Sequence, residues 1–279
     1  MPKLLAKAER PWALRLLPPF PAVANRVLSV VSSDDVDAGE IGAMIKIDPT
    51  FTAEILRVAN SALFGFRREI TSVGHAVAAL GLNRVKSIAT YIALNAMVKP
   101  ALKVEALRRV WMHSLVTALL TEEFARTSNS CFDLAYTAGM LHNLGSLGMM
   151  AAYPEEYNRM LEVSSECGFD LISTERDLFE IDHAAAGAHL AEEWDFPGTI
   201  IEAIATHHDA PARGSGLANL VRVAWRLADV LGFAAFPHHD PHTYEELIAM
   251  VPRTKASWFD DSCDGVRTVI QKRLEEMPK

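Results

Sequence analysis

The chain has 279 residues, half of them hydrophobic and 22% charged, with a mean hydropathy of +0.10. That is enough for one large domain, or two closely packed ones, around a real core, and it is too apolar for a disordered chain. The net charge of −8 and pI of about 5.7 argue against a basic face, and so against DNA or RNA as the main partner.

Cys131, Cys167 and Cys263 are far apart, odd in number and without a Cys-x-x-Cys pair, so reduced cytosolic thiols are expected. The first residues carry Lys3, Lys7 and Arg10 but no apolar core of a signal peptide. The longest apolar stretch, residues 85–98, contains Lys86, Ser87 and Asn95. It falls short of the roughly 20 residues that cross a bilayer. The expectation is a soluble cytoplasmic protein with no membrane partner.

Nearly every segment reads as helix, with weak strand-like alternation and with Gly and Pro between the blocks. After a lead-in over 1–17, Pro18, Pro19 and Pro21 set an extended approach to a helix over about 22–31. Asp37 and Glu40 have capping-box spacing and start a second. Asp48-Pro49 supplies an N-cap and a first-turn proline for a third, ending near Leu63. Ser72 caps a fourth, which Gly81 closes, and a fifth covers about 83–97. Lys99-Pro100 ends this block.

The next helix starts near Val104 and carries two apolar stripes, Val104, Leu107, Trp111, Leu115, Ala118 and Val110, His113, Thr117, Leu120, Phe124. A helix apolar on two faces is buried between partners, so His113 points inward. A helix over about 133–150 bears His142, with Ala135, Ala138, Gly139, Gly145 and Ser146 on the same face. Such small side chains leave room beside the imidazole either for a ligand or for a closely approaching helix. The helix after Asp182 puts His183, Ala186, Gly187 and Leu190 on one face. Pro197 opens another that ends at His207-His208, and one over about 217–231 carries Asp229. Pro237, Pro241 and the cluster His238, His239, His242 mark a loop. Thr243 and Glu246 have capping-box spacing and start a helical tail.

The candidate chemistry rests on His113, His142, His183, His207, His208 and Asp229, which fall on successive helices. A bundle can aim such residues at a shared centre, as di-metal helical proteins do. Imidazole and carboxylate suit zinc, iron or manganese. Two such ions roughly 3.5–4 Å apart activate water and clamp a phosphodiester oxygen. Plainer readings stand beside this one. His207 and His208 are about 100° apart on a helix, so both face inward only where the helix ends. Asp229 lies three residues after Arg226, the spacing of a surface ion pair. His189 is off the face of His183, and His238, His239 and His242 decorate a loop. Arg67-Arg68 and Arg108-Arg109 read as a solvated turn and a helix face. No Gly-rich phosphate loop or Gly-x-Ser-x-Gly elbow is present.

Ordered motifs run through the chain: Leu17-Pro18-Pro19-Phe20-Pro21, Ile47-Asp48-Pro49, and Leu56-Arg57-Val58-Ala59-Asn60-Ser61-Ala62-Leu63-Phe64-Gly65. Ile70-Thr71-Ser72-Val73, Ala79-Leu80-Gly81-Leu82 and Gly139-Met140-Leu141-His142-Asn143-Leu144-Gly145 follow. Asp182-His183, Trp194-Asp195-Phe196-Pro197 and His207-His208 complete the series. Over roughly 15–235 the sequence resembles the HDOD domain, a degenerate relative of the HD phosphohydrolases and HD-GYP phosphodiesterases.

The resemblance implies an all-α fold. Residues 18–100 would form an N-terminal helical subdomain packed on an HD-like core over 101–235, with a C-terminal helical extension over 236–279. It also implies a regulatory role in bacterial signalling, with receiver or cyclic-dinucleotide-turnover proteins as partners in separate chains. Position by position, His113 matches the first ligand histidine of catalytic HD proteins and His142 the histidine of the HD pair. His183, His207 and His208 match the further histidines of two-metal relatives, and Asp229 the closing aspartate. Asn143 replaces the aspartate of the pair, and a neutral amide is not an anionic bridge between two cations. A Gly-Tyr-Pro motif, the pointer to cyclic di-GMP hydrolysis, is missing.

No catalytic residue is therefore expected, and no metal is required, although iron, manganese or zinc fits a residual site. Three readings follow. With Asn143 in place of the aspartate, the resemblance favours a non-catalytic signalling module that presents a surface to other proteins. The alternatives are a metal-dependent phosphohydrolase of low activity and a sensor that holds a nucleotide or anion without cleaving it. No motif sets an oligomeric state.

Overall fold

Helix boundaries follow the caps that the sequence supplies. A computed structural model describes residues 11–17, 45, 49–61, 69–98, 103–129, 132–194, 196–236, 241–260 and 262–276. The expected helix over 22–31, the Asp37 and Glu40 pair, Asp48, Leu63, Arg67-Arg68, Cys131, Asp195, His238 and His239 lie outside them. Among the described residues the secondary structure is helical with no strand, so the chain is all-α as expected.

Pro49–Ala59 (α1) has proline at its first position. Beyond its end Asn60 donates from Nδ2 to the Ile70 carbonyl (2.8 Å) and accepts from the Ile70 N–H (2.7 Å). Val73–Leu80 (α2) starts where Ser72 Oγ accepts from the His75 N–H and stops at Gly81, whose φ of 79° suits glycine. Leu82–Val98 (α3) follows directly. Glu105–Ser128 (α4) is the long central helix, closed by Asn129 in the left-handed region. From Val110 to Thr127 it buries every side chain but Met112, Glu122 and Arg126, as its two apolar stripes require. Arg108 pairs with Glu105 at 2.6 Å on the exposed face.

The single helix expected over 133–150 is two: Phe132–Leu141 (α5) and Leu144–Ala152 (α6). The break falls on His142 and Asn143, with Asn143 at φ −94° and ψ 19°. The His142 imidazole takes over the Gly139 carbonyl through Nδ1–H (2.6 Å), a bond the next turn of an unbroken helix would supply. The break also brings α6 onto His183–Glu193 (α9). A Cβ on Gly145 would stand 2.0 Å from the His183 carbonyl oxygen, and one on Gly139 would stand 2.7 Å from Ala118 Cα. Gly139 and Gly145 beside His142 thus serve close helix approach. Gly145→Ala is expected to destabilise the protein by about 3 kcal/mol. Urea unfolding checks this, and an unchanged midpoint would mean that α6 and α9 do not meet there.

Pro154–Cys167 (α7) and Leu171–Phe179 (α8) form a hairpin that sequence reasoning did not identify. Its punctuation is nonetheless plain: Pro154 at the first position, Gly168 closing, and Asp170 capping the Ser173 N–H. Asp182 caps α9 at the Ala185 N–H. Gly198–Ala205 (α10) follows Pro197, and Leu217–Val230 (α11) follows Gly216. Tyr244–Met250 (α12) begins with the expected Thr243–Glu246 capping box. The tail is not one helix, because Pro252 interrupts it. A 3-10 turn at Trp258–Asp260 precedes Cys263–Glu275 (α13).

Helices α5 and α11 pack on α4, α9 packs on α6 and α10, and α10 packs on α11. One continuous hydrophobic cluster joins this bundle to α1–α3 and to the turn at Trp12–Leu14. No helix is long and apolar enough among the described residues to cross a membrane.

Candidate metal centre

The bundle brings all seven sequence-predicted site residues together, five of them as one run of imidazoles. Ring centroids step from His113 to His142 (5.3 Å), to His207 (5.1 Å) and to His183 (5.3 Å). His208 lies 4.1 Å from His207 and 4.7 Å from His183. His113, His142, His183 and His207 are fully buried. His207 and His208 follow the end of α10, in a turn, so neighbours in sequence both face the centre. Trp225 of α11 closes one side, 4.7 Å from His208.

At one end His113 sets Nε2 3.1 Å from Asp229 Oδ1, and Asn143 sets Nδ2 3.4 Å from His113 Nδ1. The network assigns a tautomer: Nε2–H donates to the carboxylate, and the Nδ1 lone pair faces the amide. Asp229 is therefore not the surface partner of Arg226. Arg226 donates instead to the Arg222 and His208 carbonyls. Asn143 is 1% exposed, and its Oδ1 has no hydrogen-bond partner.

The other end is a different chemical object. The ligand atoms of His183, His207 and His208 lie within 4.8 Å of one another, the group of three among the described residues that meets this closeness. His207 donates Nδ1–H to the Ile204 carbonyl (2.7 Å), and His183 Nδ1 lies 2.7 Å from Glu175 Oε2. Both Nε2 lone pairs are thereby aimed inward. Nε2 of His183 lies 2.6 Å from that of His208. Nε2 of His142 and of His207 are buried without a partner. Leaving a buried polar atom unpaired costs about 1–3 kcal/mol. A cation held by these nitrogens would offset that cost, and neutral imidazoles anchored at Nδ1 are the donor set that zinc, iron or manganese takes.

Glu175 is the residue that sequence reasoning missed. It is fully buried on α8, and it accepts from the Tyr157 hydroxyl, from the His183 N–H (2.8 Å) and from His183 Nδ1–H. A carboxylate behind a metal-ligating histidine is the usual support for such a ligand. The signal was weak, since Ser173-Thr174-Glu175-Arg176-Asp177 reads as a solvated helix face. Only its spacing from Phe179, one turn on, marks it as inward.

Burial, then the neighbouring His207 and His113, hold His142 well below the ordinary histidine value of 6.5. Burial and His183 do the same for His207, and burial with His207 and His183 lowers His208. The folded chain refuses protons that the unfolded chain takes up near pH 6.5. Stability is thus complete above that value and is lost as pH falls below it, by up to about 1.4 kcal/mol per pH unit for each group. Thermal unfolding should drop steeply between about pH 7 and pH 5, whether protons displace a metal or enter a dry site. A flat melting profile across that window would contradict neutral burial.

A helical bundle closing on five histidines and an aspartate defines an HD-like fold. The chain belongs to the HDOD domain family, whose model matches residues 17–210. A solved candidate phosphohydrolase from Shewanella amazonensis SB2B is 24% identical, with a TM-score of 0.68 over 92% of this chain and 90% of that one. An HDOD domain protein of unknown function from Geobacter sulfurreducens is 21% identical, with a TM-score of 0.67 over 94% and 85%. A candidate signal transduction protein from Marinobacter aquaeolei VT8 is 22% identical, with a TM-score of 0.69 over 93% and 57%. At these identities the likeness shows the fold. An uncharacterized protein of Treponema pallidum (strain Nichols) is 24% identical over 197 residues, a match that spans 70% of this chain and 38% of that protein.

Proposed function

We propose that the chain acts as a non-hydrolytic signal-transduction module, in which the HD site survives as a structural or single-ion centre. The observation that supports this most directly is the chain of contacts from Asn143 through His113 to Asp229. A carboxylate at position 143 has no proton for His113 Nδ1, whereas the amide does. Both His113 nitrogens are therefore engaged by hydrogen bonds at this end, which supplies one carboxylate, already paired. Two dications need more compensating anionic charge than Asp229 provides at close range, with Glu175 standing behind His183.

The trio of His183, His207 and His208, the first two buried and the third partly so, favours a second feature, one resident transition metal. Held by three imidazoles backed by Glu175, it would brace α9 against the turn after α10. By resemblance to the family, the output is contact with other signalling proteins, receiver or cyclic-dinucleotide-turnover proteins among them.

Hydrolysis of bis(p-nitrophenyl) phosphate with added manganese, iron or zinc tests the reading. Wild type and His142→Ala should match the buffer with metal alone. Turnover in wild type that His142→Ala abolishes would make the chain a phosphohydrolase instead.

A further inference from the structure

We propose that the groove between α7 and α8 docks a cationic amphipathic helix of a partner protein. This extends the signalling reading above by naming the chemistry of the partner. Six large hydrophobic side chains are exposed among the described residues. Four of them, Trp12, Val163, Phe169 and Leu178, line this one groove. Phe169 and Leu178 are 56% and 55% exposed, and Phe179 stacks on Trp12 beneath them with ring centroids 5.8 Å apart. The cavity is about 980 Å³ and opens along the hairpin. Apolar residues gathered in one place with a polar rim mark an interaction surface, where scattered ones do not. A groove between two helices is the shape that receives the apolar stripe of a third.

Charge selects the occupant. Residues 154–180 hold eight acidic residues (Glu155, Glu156, Glu162, Glu166, Asp170, Glu175, Asp177, Glu180) against two basic ones, Arg159 and Arg176. The hairpin thus carries a net −6 of the chain's −8. Glu175 is buried at His183, and the other seven acidic side chains are exposed; Glu156, Asp170 and Asp177 line the groove itself, against one cation among the described residues, Arg159. Anionic lipid headgroups and a second copy of the same face both meet like charge here. A helix with leucine on one side and lysine or arginine flanking it meets opposite charge. The groove also shares α8 with the metal centre: Phe179 forms its floor, and Glu175, one turn away, holds His183.

The test uses the full chain and a fluorescein-labelled 18-residue helix of leucine and lysine at 3.6-residue spacing, with a leucine and glutamate helix of the same pattern as its counterpart. Anisotropy should report saturable binding of the lysine helix alone, weakening as salt rises. Leu178→Asp should weaken it about tenfold or more, a change of at least 1.4 kcal/mol. The double variant Glu156→Lys, Asp177→Lys should shift preference toward the glutamate helix. All three positions are exposed, and circular dichroism with melting curves confirms that each variant is folded. Equal binding of both helices, or wild-type affinity in Leu178→Asp, would overturn the proposal. So would stronger capture by phosphatidylserine vesicles, or a dimer in sedimentation that Leu178→Asp dissolves. Phosphodiester hydrolysis bears on the histidine site and peptide binding on the groove, so the two readings fail separately.

Discussion

Asn143→Asp is expected to take up a second transition-metal ion, and the wild-type chain is expected to take up one at most. Asn143 sits at the break between α5 and α6, beside His113 and His142, with its Oδ1 buried and unpaired. A carboxylate there adds one full negative charge at the place where the imidazole run lacks it. Groups that merely support a metal ligand contribute ~10–100-fold in affinity, and a ligand itself contributes more. Calorimetric titration with Mn(II) or Zn(II) should therefore show a second binding event in the variant, tighter by at least ~100-fold than any second event in wild type. The metal-free variant should be the less stable protein. A buried carboxylate facing His113 lacks the proton that the amide gives, and the expected loss is on the order of 2 kcal/mol. Excess metal should reverse that loss, because a ligand that binds only the folded state stabilises it. Equal stoichiometry and equal melting behaviour in the two proteins would mean that position 143 does not face a metal.

The second large effect belongs to Glu175→Ala. This side chain accepts three hydrogen bonds in a place with no solvent: from Tyr157, from the His183 N–H and from His183 Nδ1–H. Burial and Glu175 hold the Tyr157 hydroxyl well above its usual value, so it stays protonated and continues to donate. Removing the carboxylate orphans all three donors at once. A loss of about 3–5 kcal/mol is expected, larger than for a typical core truncation by one or two methylenes. Glu175→Gln keeps the volume and one acceptor oxygen, and should lose less than half as much. Chemical denaturation measures both. Nitrogen NMR of His183 supplies a readout that stability alone does not: Nδ1 should be the protonated nitrogen in wild type, and the tautomers should mix in Glu175→Ala. A single Nδ1-protonated tautomer in the alanine variant would show that Glu175 does not set the ring.

Much of this arrangement was legible in the residues. Ser72 with Gly81, the Thr243–Glu246 pair and Asp182 mark helix ends because their side chains satisfy backbone groups that any helix leaves open. The double stripe on α4 placed His113 inside, since no single surface hides two apolar faces. What stayed hidden depends on contacts between distant segments. The break at Asn143 arises where Gly145 must meet the His183 backbone, which a local pattern around His142 does not encode. Glu175 looks like one charge among several until α8 folds against α9. Asp229 has Arg226 at ion-pair spacing along its own helix, yet it pairs with a histidine 116 residues away. The α7–α8 hairpin went unread for a related reason. Its acidic residues suggest plain solvation, and only the fold shows Trp12 and Leu178 converging between them.

The most direct trial of the non-hydrolytic reading is an elemental count on freshly purified wild-type chain, taken together with phosphodiester turnover on the same sample. The account predicts no more than one transition-metal atom per chain, lost when His207 is changed to alanine, and no turnover. Two tightly held metals per chain, in protein whose hydrolysis disappears with His142→Ala, would contradict it.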